Sequence, residues 1–414
     1  MDNSLKLLNA AAREARLSAA REIAPCENFP ERTRFTNNHI HTTYSFSPYS
    51  PTAAVRMARA AGLCTAGIMD HDSCAGALEF VDAGKIFGLP VTVGVECRVT
   101  MEGTPFDGRR TNNPDQTGVS YVALHGIPHS ELPAVAAYFA PYMAARGRRN
   151  EAMIPRLNAL LPDNLQIDYA CDVLPLSQAH DGGTVTERHI LYAVALKIAA
   201  LTDPAEVMTD GLGLALSEKM RENVRDAGSP NQAYDILNVL KSSLVERFFI
   251  PATDECPPVR ETAEFCKKHG IIFAYAYLGD VRGSVTGDKK DQLFEDEYLD
   301  ELVAALPGLG FSALTYMPSR NTPEQLARVQ SLCREHGLFE ISGEDINQLR
   351  QSFVCQALAK PECAHLYDAA WALIGHEARA GASLSSGLFG AESIAAQPDL
   401  TARVREFSQY AQNL

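Results

Sequence analysis

The ten cysteines of this 414-residue chain never fall into a C-x-x-C pair. That removes the spacing of structural zinc ribbons and of thioredoxin-like redox motifs. No uninterrupted apolar run approaches the roughly 18 to 20 residues that cross a bilayer. Basic charge is also scarce: 37 Lys and Arg against 51 Asp and Glu leave a net charge of −14. Such a surface disfavours nucleic acid and anionic membranes as partners. Anionic small molecules stay open, because a bound cation reverses the potential locally. Internal repeats and low-complexity tracts are missing too, which argues against a solenoid. The opening "MDNSLKLLNAAAREARLSAAREI" is too charged for a secretory h-region and reads as an amphipathic helix. Scattered cysteines without a secretory signal suit a reducing cytoplasm, with free and mostly buried thiols.

What the chain does contain is alternation. Its 46% hydrophobic and 21% charged residues are those of a globular protein, long enough for two or three domains or one large barrel. "RFTNNHIH" reads as a strand leading into "SPTAAVRMARAAGL", a helix with Ser50 and Pro51 in the cap and first-turn positions. "TAGIMDHDS" is a strand before the helix "CAGALEFVDAGKIFG". "LPVTVGVECRVT" and "VSYVALHGIPHS" are further strands, parted by the polar "TNNPDQTG". Strands alternating with helices predict a parallel sheet or barrel. From about residue 131 to 250 the pattern turns helical, as an insertion would. It resumes at "GIIFAYAYLG", passes the polar loop "DVRGSVTGDKKD" and a helix, and continues through "FSALTYMPS". A helix capped by Thr322 and the strand end "LFEISGEDIN" follow. The expected organisation is a helical extension at 1–34, barrel at 35–130, a helical insertion or cap at 131–250, barrel at 251–350 and a helical segment at 351–414.

Polar residues gather at the predicted strand ends. His39 and His41, two apart on a strand, project to one side. In "VTVGVECRV" the valines 91, 93 and 95 share one face, and Glu96 shares the other with Thr92 and Gly94, leaving space around a carboxylate. His71, His125 and Asp345 also lie at strand ends, where parallel α/β folds assemble their sites. Imidazoles with carboxylates suit zinc, iron or manganese, and two of each form a sufficient donor set. Plainer readings exist for each. A single strand-end histidine is more often a hydrogen-bonded structural residue. Glu96 alone could be a salt-bridged strand end, and Asp72 is best read as the cap of the helix beginning near Cys74. The ordered series at successive strand ends favours metal. Arg320, in "YMPSRNT", is placed either to fork onto phosphate oxygens or to make a surface salt bridge. "RGRRN", residues 146–150, reads as a solvated helix face.

"HIHTTYS", "GIMDHDS", "GVECRV", "VALHGIP" and "ISGEDIN" resemble, in order, the successive motifs of the PHP (polymerase and histidinol phosphatase) superfamily. The resemblance covers about residues 35–130 and 270–350. It implies an α/β fold, a distorted (β/α)7 TIM-like barrel with metals at its C-terminal mouth, here with a helical insertion and helical termini. It also implies six ligand positions kept, at His39, His41, His71, Glu96, His125 and Asp345, and three altered, at Phe46, Tyr275 and Asn347. One metal set, His39, His41, Glu96 and Asp345, is then complete. A second, sharing Glu96 with His125, lacks a partner, and a third retains only His71.

The resulting expectation is a metal-dependent hydrolase. It would act on a small phosphorylated metabolite through a metal-activated water, with one firm manganese, zinc or iron ion and a second, weaker one. His71, near its ordinary pKa, or Asp70 would be the acid–base partner, His125 a ligand or proton donor, and Arg320 a phosphate contact. Two other readings remain, a non-phosphate (amidohydrolase-like) metallohydrolase and a degenerate PHP protein that binds without catalysis.

Overall fold

The computed structural model describes residues 3–280 and 295–414. The polar loop read at "DVRGSVTGDKKD" therefore lies, after Asp280, outside the described residues. Seven strands pair in sequence order: β1 (Thr36–Ile40), β2 (Thr65–His71), β3 (Val91–Thr100), β4 (Val119–His125), β5 (Ile272–Tyr277), β6 (Ala313–Tyr316) and β7 (Phe339–Ser342). The sheet rolls into a nearly closed barrel, because Ile40 makes a parallel bridge to Ile346 just beyond β7. β4 departs from the parallel reading and runs antiparallel to both β3 and β5. The connection explains it. Residues 101–118 contain turns and no helix, and a return without a crossover helix favours antiparallel pairing.

The N-terminal helix is broken in two, α1 (Asn3–Leu8) and α2 (Arg13–Ile23). α3 (Pro51–Ala60) begins as its sequence suggests, with Ser50 Oγ accepting from the Ala53 N–H. α4 (Ala77–Phe87) does not. Its cap position is Gly76, without a side-chain bond, so Asp72 is not its cap.

The insertion holds α5 (Leu132–Asn158), α6 (Glu187–Ala199) and α7 (Gln232–Phe248), with shorter turns between them. Leu157, Ile190, Val194, Leu237 and Leu240 give these helices a core of their own. They meet the barrel at the loops that follow β1 and β2. Thr184 N–H donates to Tyr44 O, the Tyr44 hydroxyl to Asp181, and Ser73 Oγ to Gly182 O.

α8 (Val259–Lys268), α9 (Leu299–Ala305) and α10 (Pro323–His336) complete the barrel's outer layer. Thr322 and Gln325 form a reciprocal cap on α10. The final helices, α11 (His365–Ala382) and α12 (Leu400–Gln412), pack on each other. α11 seals the end of the barrel away from the insertion. Its Ala369, Ala372 and Leu373 pack on Met69, Ala123, Ala274, Ala313 and Ile341. Glu377 accepts from the Val93 N–H at 2.7 Å and from the Thr92 hydroxyl, tying α11 to the start of β3. Beside it, His376 Nε2 donates to Gly270 O and Nδ1 accepts from the Leu388 N–H, both at 2.8 Å.

"RGRRN" is not a solvated face. Arg148 is exposed, but Arg146 and Arg149 are only 3% and 7% exposed. They share a helix stripe with Asn150, Met153 and Leu157, at the three- and four-residue spacings that put side chains on one face. Arg146 Nη1 lies 2.7 Å from Asp72 Oδ2 and Nε 3.1 Å from Glu255. Arg149 reaches Glu255 and Glu187, and Arg98 of β3 joins both acids. Three arginines and three carboxylates thus bind the insertion to the barrel wall.

Removing one member of a buried pair strands its partner's charge, at a cost of about 3–5 kcal/mol. Arg149→Met is therefore expected to lower unfolding stability in urea by about that much, while Arg148→Met stays within about 0.5 kcal/mol of wild type. Similar losses in both would contradict the cluster's role.

A second expectation concerns acid. Burial lowers the His376 pKa to about 4. Between pH 6.5 and about 4 the unfolded chain therefore binds a proton that the folded chain refuses, and stability falls as pH falls through that window. This group contributes roughly 3 kcal/mol to that loss. His376→Gln should start less stable, yet show a shallower fall of melting temperature on acidification. Parallel curves would refute it.

Candidate metal centre

The β1–β2 ladder is irregular between Asn37 and Ile40, and on its other side β1 meets the segment after β7 through the isolated Ile40–Ile346 bridge. Asparagine side chains fill the gap. Asn37 Nδ2 donates to Glu344 O at 3.1 Å, and its Oδ1 accepts from the N–H groups of Glu344 and His39 at 2.9 and 3.0 Å. Asn38 Nδ2 donates to Ser342 O at 2.9 Å. Beyond the irregularity, His41 N–H donates to Ile346 O at 3.0 Å and Ile346 N–H to His39 O at 3.1 Å. Gly343 permits the approach: a Cβ there would sit 2.6 Å from the His39 Cβ. The "NN" before His-x-His and the glycine of "ISGEDIN" were not read from sequence as site residues, yet they bring His39, His41 and Asp345 together.

The donors of His39, His41 and Glu96 lie within 4.8 Å of one another. Both His39 Nε2 and His41 Nε2 stand 3.6 Å from Glu96 Oε2, and His41 Nε2 is 3.2 Å from Asp345 Oδ1. His71 Nδ1 approaches the same Glu96 oxygen to 3.1 Å. His39 Nε2, His71 Nδ1 and His125 Nε2 are buried with no hydrogen-bond partner. Buried imidazole nitrogens are seldom left so. His39 and His71, both within 3.6 Å of the shared Glu96 oxygen, fit a divalent transition metal by donor type.

Electrostatics follow from the crowding. Burial opposes ionisation of Glu96, but His71, His39 and His41 hold its carboxyl down to about 2. Burial likewise opposes a charge on His39, yet Glu96 and Asp345 keep its pKa above the ordinary value. His71 is pushed down to about 3, chiefly by burial. It is therefore neutral at pH 7, in place of the ordinary pKa expected from sequence.

Asp70 sits behind the cluster. It accepts from Thr42 N–H (2.7 Å), Thr42 Oγ1 (2.6 Å) and Ser45 Oγ (2.6 Å). Since the Ser45 proton goes to Asp70, its oxygen accepts from His41 Nδ1 at 3.2 Å. That fixes the His41 tautomer and turns the Nε2 lone pair to Glu96 and Asp345. Asp72 takes a left-handed backbone, φ 52°, and pairs with Arg146. Glu96 does not border empty space at Gly94, because a Cβ there would meet Met69 Cε at 2.5 Å.

His125 stands opposite Gly94, while Ala123 stands opposite Glu96. The reversed β4 thus sets His125 one layer below the cluster instead of at the mouth; burial lowers its pKa to about 3. Arg320 Nε donates to Leu278 O at 3.3 Å, and no described contact joins it to the histidines. The altered positions are all engaged. Phe46 packs on His189, Tyr192 and Tyr234, and the Tyr275 hydroxyl donates to Glu295 at 2.6 Å. Asn347 donates to Asp345 Oδ1 at 2.6 Å and accepts from Arg188 of α6 at 2.8 Å. Arg188 carried no signal in the sequence, since only the fold brings the insertion here.

Residues 37–169 match the family model of the PHP domain. Among solved structures, a Bifidobacterium adolescentis protein assigned as a metal-dependent phosphoesterase aligns with a TM-score of 0.52 at 22% identity, over 80% of this chain and 96% of its own. An amidohydrolase of Chromobacterium violaceum, solved with bound sulfate and no metal, aligns at 0.50 with 16% identity, over 78% and 90%. At these identities the likeness is one of fold. No curated protein matches the chain. The His39, His41 and Glu96 donor cluster lies within the stretch that matches the PHP model.

His41→Ala or Glu96→Ala is expected to abolish transition-metal retention by the protein, read by elemental analysis after gel filtration. Asp70→Asn should keep the metal but weaken affinity about 10- to 100-fold, as loss of a ligand-orienting carboxylate does. Unchanged affinity in Asp70→Asn would separate Asp70 from the centre.

Proposed function

We propose that the protein is a metal-dependent phosphomonoesterase acting on a small phosphorylated metabolite. One manganese, zinc or iron ion would be held firmly by His39, His41, Glu96 and Asp345, with a weaker second site toward His125. The observation that carries this reading is the mutual approach of the His39, His41 and Glu96 donors inside a PHP domain. A divalent ion in that set supplies a Lewis acid for a phosphoryl oxygen and lowers the pKa of water to near 7.

The chain's own residues supply the rest. Asp70, through Ser45, orients His41. His71, neutral and 24% exposed at its side chain, is the imidazole most open to a substrate and can accept a proton there. Arg188, hydrogen-bonded to Asn347, brings a guanidinium beside Asp345 and supports an anionic substrate. Such a fork suits phosphate oxygens. This role fits Arg188 better than Arg320, which is bonded to Leu278. α5, α6 and α7 form a cap at the mouth, and its contacts at Tyr44, Ser73 and Asn347 restrict what enters.

A panel of phosphomonoesters with added manganese, zinc or iron tests the reading by release of inorganic phosphate. His71→Ala is expected to lower kcat by about 10² to 10⁴ with the firm metal still bound. Arg188→Met should lower kcat/KM about 10- to 100-fold, mainly through KM, as loss of a charge-assisted hydrogen bond would. No phosphate release under any of the three metals would reject phosphomonoesterase activity and direct attention to a non-phosphate hydrolase.

A further inference from the structure

We propose that a cavity at the other end of the barrel binds a phosphate-type oxyanion, either free or carried by a small molecule. The cavity, of about 340 Å³, lies between the start of β1 and residues 358–367. Arg34 and Lys360 line it, and among the described residues neither makes an ion pair. Two uncompensated cations on one cavity stand out in a chain of net charge −14. The Arg34 guanidinium lies over the Tyr367 ring, 4.1 Å from its centroid, which limits where its charge can point.

Two further features converge on the same space. Thr36, only 1% exposed, lines the cavity and its Oγ1 has no hydrogen-bond partner. A buried hydroxyl without a partner is costly unless a ligand or water completes it. The 18-residue α11 begins here at His365, and Ala364, its cap residue, lines the wall and offers no side-chain cap. The first turn of a helix presents free N–H groups and the positive end of its dipole.

Nearby acids do not reverse the balance. Glu340 is engaged by His365 at 3.2 Å and by the Tyr316 hydroxyl at 2.8 Å, and Glu362 does not line the cavity. Phe35, Leu358 and Pro361 add apolar wall, so a body attached to the oxyanion has surface to cover. The site is separate from the metal centre. β1 runs from Thr36 here to His39 there, about 10 Å along a strand. A ligand seated here would hold the start of the strand whose far end carries the metal donors.

Calorimetric titration of the full chain with inorganic phosphate and with phenylphosphonate, which is not hydrolysed as an ester, tests this. An Arg34→Met/Lys360→Met variant should lose one bound equivalent while keeping its metal content and melting temperature. The near-isosteric Thr36→Val should weaken that equivalent about ten-fold, the factor of one charge-assisted hydrogen bond. Tighter binding of phenylphosphonate would identify a carried phosphate, and equal or weaker binding a free one. Unchanged stoichiometry in the double variant, with either probe, would overturn the proposal.

Discussion

The barrel closes through the backbone of its own candidate metal ligands, and much of the site depends on that closure. Ile346 gives its N–H to His39 O and its carbonyl to the His41 N–H. These bonds fix where β1 lies against the segment after β7, and so fix the approach of His41 Nε2 to Asp345 Oδ1 at 3.2 Å. On this side β1 makes an isolated bridge in place of a ladder, and unpaired backbone groups would be costly inside the barrel wall. Asn37 and Asn38 take over as ladder partners from their side chains. His39 and His41 both reach Glu96 from this end of β1. Site geometry and barrel closure are one constraint.

The insertion engages the barrel through Phe46 and Asn347. Phe46 is a barrel-loop residue, yet it belongs to the insertion's hydrophobic core with Tyr192 and Tyr234. Asn347 passes Arg188's hydrogen bond to Asp345. A phenyl ring and an amide at these places favour a packed and hydrogen-bonded contact with α6. The buried charge cluster works beside them, joining Asp72 and Arg98 of the barrel to Arg146, Arg149 and Glu187 of the insertion. Because Asp72 directly follows His71, the helix that carries Arg146 also steadies the end of β2.

Local signals were legible in the sequence and long-range ones were not. Strand–helix alternation, the Ser50–Pro51 start and the Thr322 cap are decided within a few residues, and each formed as read. His39, His41 and Glu96 were legible because strand geometry sets which neighbours share a face. The direction of β4 was not, since it depends on how a helix-free loop folds back. That error put His125 at the mouth, where register sets it a layer lower. Asp72 looked like a cap because its true partner, Arg146, lies far along the chain. Arginines 146 and 149 looked solvated because charge hid a helical stripe that only matching carboxylates allow to be buried. Arg188 and Gly343 had no local signature at all.

Glu96 Oε2 has three imidazole nitrogens around it, at 3.6, 3.6 and 3.1 Å. A nitrogen facing that oxygen without a proton points a lone pair at an anion, which is repulsive. Protonating all three would bury three charges around one carboxylate, which is worse. The protein settles between these limits. Glu96 stays ionised, Glu96 and Asp345 hold the His39 pKa above its ordinary value against burial, and His71 remains neutral. A divalent cation would resolve the conflict better than protons do, because one ion could face the His39 and His41 lone pairs and the Glu96 carboxylate at once. Its binding must then displace the His39 proton, so affinity rises with pH until His39 is neutral in the metal-free state. The same crowding of imidazole nitrogens about one carboxylate suits a divalent transition metal by donor type.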